Sequence, residues 1–101
     1  MGKAANSSIS LNQIHVSDNF WNKYVHLVKD VIIPYQWDIL NDKLEDVETS
    51  HCIENFKIAA GEKEGEFQGA VFQDTDVAKW LEAVGFVLNY ERDEKLEELA
   101  D

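Results

Sequence analysis

The feature that most constrains the fold is a stripe of apolar residues, three or four positions apart, in the second half of the chain. This spacing places the side chains on one face of an α-helix, because an α-helix has 3.6 residues per turn. The stripe consists of Val77, Trp80, Leu81, Val84, Val87 and Leu88. Such a face needs a cover, so the pattern predicts a helix packed against other helices, with Trp80 in the packed layer.

A second helical pattern precedes this one and begins after Asp18, whose side chain is suited to cap a helix N-terminus. Its main apolar stripe consists of Phe20, Tyr24, Leu27, Val28 and Val31. Trp21 and Val25 form an additional stripe on the same helix. We therefore expect other parts of the fold to contact this helix on more than one side.

Pro34 interrupts the second pattern. A proline inside a helix removes a backbone donor and clashes with the preceding turn. We expect a break or kink near residues 32–33, followed by a second helical stretch through "YQWDILNDKL". The acidic residues 45–49 that follow are typical of a loop.

Residues 51–60 predict a short helix, with Ser50 as its cap and Gly61 as its stop signal. A long connection with three glycines then leads to "FQDTDVAKW". Asp74 or Thr75 is expected to cap the helix that carries the Val77–Leu88 stripe.

A short helix is predicted near the C-terminus and a short extended segment near the N-terminus. Asp93 predicts the start of a last short helix through "EKLEELAD". Residues 1–17 resemble a polar tail with a short extended segment, because "ISLNQIHV" alternates weakly. The predicted fold class is all-α, built from helical hairpins and preceded by this extended segment.

Composition narrows the functional classes. The chain has 101 residues, of which 45% are hydrophobic, so it is long enough for one small domain and is not disordered by composition. Its net charge of −11 disfavours nucleic acid as a partner, because phosphate backbones are also negative. No apolar run approaches membrane-spanning length. We expect no membrane contact.

The single cysteine and the N-terminus bear on location. Cys52 has no second cysteine with which to form an internal disulfide, which fits a reducing compartment. The first ten residues lack the apolar core of a signal peptide. We therefore expect a cytoplasmic location.

Several kinds of site fit the local sequence only weakly. Glycines four residues apart do not match a phosphate-binding loop, and acidic residues at positions 62–66 are as typical of a solvated surface as of a catalytic pair. His51 beside Cys52 cannot supply a four-ligand zinc site. We predict no catalytic residue and no metal ligand in this chain.

Aromatic residues next to polar ones favour carbohydrate binding. Sugar C–H faces pack on aromatic rings, while amides and carboxylates bind hydroxyl groups. Gln36 lies beside Trp37, and Asp74 lies near Phe72. The alternative for each tryptophan is packing in the core, and this alternative is stronger for Trp80.

The order of four segments resembles the start of the β-L-arabinofuranosidases of glycoside hydrolase family 127. The segments are "IPYQWDIL", "NFKIAAGEKEGEFQG", "VFQDTDVAKWLEA" and "DEKLEELAD". The resemblance covers roughly residues 18–101. It implies the first helices of an incomplete (α/α)6 catalytic barrel, within a longer retaining exo-enzyme that releases L-arabinofuranose from β-linked chains.

The resemblance also assigns roles to residues. It implies that Gln36 and Asp74 contact sugar hydroxyls and that Phe72 forms an apolar wall. Ala78 stands where the family usually has tyrosine, and Thr75 where it usually has serine. The family's acid/base glutamate and its cysteine nucleophile, which is held in a zinc–thiolate cluster, are expected beyond this segment, so Cys52 is not that nucleophile.

Three hypotheses follow. In the first, the chain is an N-terminal part of such a glycosidase, inactive alone, whose sugar substrate and zinc belong to the full-length context. In the second, it is a self-standing acidic helical module that binds a protein. In the third, the isolated chain is only marginally folded and associates with itself through uncovered apolar helix faces.

Overall fold

The fold is organised around its longest helix, which contacts most of the other elements. In a computed structural model, residues 7–101 are described and contain five α-helices. The helices are α1 (Asn19–Leu27), α2 (Ile33–Leu40), α3 (Cys52–Ala59), α4 (Asp74–Tyr90) and α5 (Glu94–Ala100). Helix α4 contacts α2, α3 and α5. The predicted all-α class is confirmed.

The core lies where α4 meets α2, α3 and α5. Its buried residues are Ile33, Leu40, Cys52, Trp80, Val84 and Leu96. Trp80 and Val84 come from the predicted α4 stripe, whereas Leu81 of that stripe remains 43% exposed. The indole N–H of Trp80 donates a hydrogen bond of 3.0 Å to the carbonyl of Ile33, which fastens α4 to the start of α2.

Pro34 was expected to break or kink the helix, but the helical path is not broken there. Residues Val28–Ile32 form a π-helical turn between α1 and α2, so the helical path continues from Asn19 to Leu40. The amide of Ile33 bonds to the carbonyl of Val28, five residues earlier. Pro34 lies in the first turn of α2, where its missing N–H is tolerated best. The π turn ends where the break was expected.

Helix α1 exposes the stripe that was expected to pack. Phe20, Tyr24 and Val31 are 58%, 45% and 56% exposed, because nothing among residues 7–101 covers this face. Trp21 is likewise 62% exposed. Val25 instead lies on the side that approaches α4. The periodicity predicted the helix but not the face that the fold covers.

The helix ends agree with the sequence in three cases. Asp18 accepts hydrogen bonds from the amides of Phe20 and Trp21, and Asp93 caps α5 in the same way. Gly61, with φ of 79°, ends α3. The amides of Gly61 and Glu62 bond back to α3 carbonyls in the pattern of a Schellman motif.

Two predicted caps were wrong. His51, rather than Ser50, occupies the N-cap position of α3, and the Ser50 hydroxyl instead donates to the Cys52 sulfur at 2.9 Å. Helix α4 begins one residue early, so Gln73 lies at its N-cap position and Asp74 already belongs to its first turn. Thr75 uses its hydroxyl to bond the carbonyl of Phe72.

The segment before α1 forms no strand within residues 7–101. Ser10 and Ile14 have extended backbone, but Leu11–Gln13 between them form a single 3-10 turn. No neighbouring strand is present in this part of the chain to pair with it. The amide of Val16 donates to the Tyr90 hydroxyl at 3.0 Å and ties the segment to the end of α4. The part of the predicted polar tail before residue 7 lies outside the described residues.

Every helix within residues 7–101 falls short of the length and apolarity needed to cross a membrane.

Candidate sugar-binding site

Gln36 lines a cavity between α2 and the first turns of α4. The cavity has a volume of about 320 Å³. Its lining consists of Gln36, Ile39, Leu40, Asp76, Lys79 and Trp80. The amide of Gln36 offers a donor and an acceptor, Asp76 offers acceptors and Lys79 offers donors, while the remaining surface is apolar. This mixture suits a small polyhydroxylated ligand.

The charges in this cavity are paired. The Lys79 ammonium lies 3.9 Å from a carboxylate oxygen of Asp76, one helical turn away. Both side chains are largely exposed, so the pair contributes little to stability and remains free to exchange its partner for a ligand hydroxyl. The buried side chain of Trp80 forms the floor of the cavity. Its hydrogen bond to the Ile33 carbonyl fixes the position of the indole ring.

Asp74 lies on the other side of the same helical turn. It lines a separate, mainly apolar cavity of about 150 Å³. The lining comprises Cys52, Asn55, Phe56, Ala59, Phe67 and Asp74. The first turn of α4 thus gives Asp76 to one cavity and Asp74 to the other. The structure does not bring Gln36 and Asp74 into one cavity.

Phe72 lies in the turn that leads into α4. Its side chain is 70% exposed and lines neither of these two cavities. Its carbonyl accepts bonds from the amide and the hydroxyl of Thr75, at 3.2 and 2.8 Å. The backbone of this position is therefore fixed, while the ring is available at the surface.

Sequence reasoning missed the polar neighbours of Gln36. Neither Asp76 nor Lys79 was predicted as a site residue from the sequence. Their approach to Gln36 depends on how α4 packs on α2. The available signal was local: Asp76 and Lys79 are three residues apart and precede the buried Trp80, so they lie near the face that meets α2.

Asp42, His51 and Glu54 have ligand-type atoms within 4.8 Å of one another. The carboxylates of Asp42 and Glu54 also make other contacts. The Asp42 carboxylate accepts the amides of Ser50 and His51, with a shortest distance of 2.6 Å. Glu54 pairs with the Lys63 ammonium at 2.9 Å. This hydrogen bond and the positive charge of Lys63 lower the pKa of Glu54.

These contacts give the Asp42 group a structural explanation. Asp42 and His51 both have positive φ. The Asp42 carboxylate accepts a hydrogen bond from the backbone amide of His51. Asp42 therefore closes the 42–51 loop and sets the start of α3. A cation at this place would compete with the Lys63 ammonium for Glu54 and with the amides of Ser50 and His51 for Asp42.

Cys52 is buried and hydrogen-bonded. Its thiol donates to the carbonyl of Gln73 at 3.1 Å and accepts the Ser50 hydroxyl. Neither of these two hydrogen bonds connects the Cys52 sulfur to a basic side chain. A thiol held in this way joins α3 to the loop before α4 and is not arranged as a nucleophile.

The chain matches a known enzyme family over most of its length. Residues 13–101 match the family described as "Beta-L-arabinofuranosidase, GH127 catalytic domain". A non-reducing end β-L-arabinofuranosidase of Bifidobacterium longum subsp. longum is 36% identical, over 87% of this chain and 15% of that protein.

A solved structure gives the same result. The crystal structure of a GH127 β-L-arabinofuranosidase from Geobacillus stearothermophilus T6 is similar, with a TM-score of 0.82 and 59% identity. The similarity covers 86% of this chain and 14% of that protein. The chain therefore spans about one seventh of the length of the relatives that it matches.

Proposed function

Because the chain belongs to the β-L-arabinofuranosidase family of glycoside hydrolase family 127, we propose that residues 18–101 form the first helices of an (α/α)6 catalytic domain. Residues 1–17 precede this domain as a polar and partly extended segment. The domain would act on β-linked L-arabinofuranosides. The match to the Geobacillus enzyme and the uncovered faces of α1 support this proposal.

The proposed contribution to the sugar pocket comes from Gln36, Phe72 and Asp74. Gln36 would bind a sugar hydroxyl with its amide, next to Asp76 and Lys79, and Asp74 would accept a second hydroxyl. Phe72 would pack against an apolar face of the sugar. The cavity beside Gln36, where polar groups of three kinds surround an apolar floor, is the observation that supports the role of Gln36. The roles of Phe72 and Asp74 rest on the family match.

By themselves these residues would bind sugar without cleaving it. The zinc–thiolate cluster that the resemblance implies needs several cysteines, and this chain has one, which is buried against Gln73. The residues present therefore do not fit that cluster. We place the zinc site, the nucleophile and the acid/base residue outside this segment.

A segment exchange tests the proposal. Residues 13–101 would replace the matching segment of the Geobacillus enzyme, which is 59% identical over the similar region. We expect the exchanged enzyme to release L-arabinose from a β-L-arabinofuranoside, and the isolated 101-residue chain with added zinc to release none. Hydrolysis by the isolated chain, or a folded exchanged enzyme without activity, would contradict the proposal.

Substitutions in the exchanged enzyme test the three residues. Gln36→Ala, Asp74→Ala and Phe72→Ala are each expected to raise KM by about five- to tenfold, as expected for a lost hydrogen bond or a lost ring contact. Gln13→Ala is the matched control, because Gln13 is exposed in the 3-10 turn. An unchanged KM for one of the three variants would remove that residue from the proposed site.

The exposed face of α1 supports a second candidate function, which is self-association of the isolated chain. Phe20, Trp21 and Tyr24 form a cluster with ring centroids 5.0 to 6.2 Å apart. Exposed apolar patches of this kind usually mark contact surfaces. Sedimentation of the isolated chain should show dimers or larger species that the double variant Phe20→Ser/Trp21→Ser abolishes. A monomer at all concentrations would refute this candidate.

A further inference from the structure

The loop between α3 and α4 carries two exposed aromatic residues but little apolar packing of its own. Phe67 and Phe72 are 55% and 70% exposed. All residues from Gly61 to Gly69 are exposed. A loop with so few buried contacts has low local stability, so its position depends on specific tethers.

Asn55 on α3 provides the strongest of these tethers. Its amide NH2 donates to the carbonyl of Gln68 at 2.7 Å, and its amide oxygen accepts the Gln68 N–H at 3.1 Å. One side chain thus satisfies both backbone groups of one loop residue, as a neighbouring β-strand would. Asn is suited to this because its amide carries a donor and an acceptor side by side.

Further contacts hold the loop close to α4. The side-chain oxygen of Gln73 accepts the Ala70 amide at 2.9 Å, and the carbonyl of Gln73 accepts the Cys52 thiol. Gly69 has φ of 91°, and a Cβ at this position would collide with the side-chain oxygen of Gln73. In the arrangement seen here, these bonds form together and hold the loop against the start of α4.

We propose that Asn55 is a positioning residue that fixes the loop carrying Phe67 and Phe72 at the sugar-binding site, an inference that rests on the proposed function. Asn55 lines the cavity that Phe67 and Asp74 share. By holding Gln68, Asn55 sets Phe67 at the edge of this cavity and restrains the approach to the Phe72 turn. Pre-organising the loop removes an ordering cost that ligand binding would otherwise include.

Hydrogen exchange at the Gln68 amide tests the tether without any sugar. In the 101-residue chain, Asn55→Ala removes the acceptor and should accelerate exchange of this amide at least about fivefold, the value expected for a lost hydrogen bond. Asn55→Asp keeps an acceptor for the amide but loses the donor to the carbonyl, so a smaller acceleration is expected. Asn89→Ala is the matched control, because Asn89 is an exposed residue of α4.

Kinetics of the exchanged enzyme test the positioning role. Asn55→Ala should raise KM by about fivefold while kcat changes by less than about twofold, because the loop orders the bound sugar and supplies no reacting group. Asn55→Asp should raise KM less than Asn55→Ala, whereas Asn89→Ala should leave it unchanged.

The two measurements separate the two proposals. Unchanged exchange at Gln68 in Asn55→Ala would overturn the tether. Faster exchange with unchanged KM would overturn the positioning role while leaving the proposed function intact. Inactivity of the folded exchanged enzyme before any substitution would overturn the proposed function and, with it, the sugar role of Asn55.

Discussion

The contact between α2 and α4 and the aromatic face of α1 are built from similar residues but end in opposite environments. At the α2–α4 contact, Trp80 is 3% exposed, donates a hydrogen bond to Ile33 and packs on Trp37 with ring centroids 4.6 Å apart. On α1, Trp21 is 62% exposed and has Phe20 and Tyr24 as its aromatic neighbours.

The difference shows what helical periodicity leaves undecided. Both regions have apolar residues at helical spacing, so both were predicted as packed helices. Only α4 meets partners on its apolar face within residues 7–101. The exposed face of α1 is consistent with the proposed barrel, in which further helices would cover it.

The largest effect is expected for Trp80→Ala. Removing a buried tryptophan leaves a cavity and the Ile33 carbonyl without its partner, so the free energy of unfolding should fall by about 3–5 kcal/mol. Urea denaturation followed by circular dichroism measures the change. Trp21→Ala is the matched control and should cost less than about 1 kcal/mol. Equal losses would show that the α1 face is also buried in solution.

The second prediction concerns the cap of α1. Because α1 has little tertiary cover, its first turn depends on the two bonds that Asp18 accepts. Asp18→Ala should lower the free energy of unfolding by about 1 kcal/mol, and Asp18→Asn by less, since Asn also caps. Denaturation of both variants provides the measurement. If Asp18→Ala leaves the free energy of unfolding unchanged, tertiary contacts rather than the cap stabilise α1.

The third prediction concerns Lys29 in the π turn, the best-placed electrostatic link between this side of the fold and the α4–α5 turn. Its ammonium lies 3.4 Å from Glu91 and 3.8 Å from Asp93, while the side chain is only 13% exposed. Lys29→Met should cost less than about 1 kcal/mol, because the carboxylates remain partly in water. The loss should shrink at high salt. A loss that is independent of salt would contradict an electrostatic origin.

The smallest effect concerns the exposed Glu54–Lys63 pair. The Lys63 hydrogen bond and charge hold the pKa of Glu54 below its ordinary value. A carboxyl group with a lowered folded-state pKa stabilises the fold above its unfolded pKa, and this contribution is lost as pH falls through the folded pKa. Lys63→Met should therefore raise the pKa of Glu54 in an NMR titration. An unchanged pKa would show that the pair does not form in solution.

Some features of the fold could be predicted because they depend on neighbours in sequence. The caps at Asp18 and Asp93 and the stop at Gly61 involve bonds within a few residues, so the local pattern carries the information. The cap predicted at Ser50 failed because Cys52, held by Gln73 from another element, engages the Ser50 hydroxyl.

The candidate site shows the same division. Gln36, Phe72 and Asp74 were chosen by residue type and by resemblance, and their sugar contacts remain a prediction. Asp76 beside Gln36 and Asn55 beside Gln68 were not found, because each pair joins elements that are distant in sequence. Local spacing places Asp76 near the face of α4 that carries Trp80, but it does not record which residue of another element lies opposite.

The sequence by itself determined the helices, three of their ends and the family, because apolar spacing, caps and ordered motifs are properties of the chain. Only the tertiary structure decided which apolar face is buried, how a π turn accommodates Pro34 and which polar side chains share a cavity. These outcomes depend on the packing of helices against one another, and packing joins residues that the sequence keeps apart.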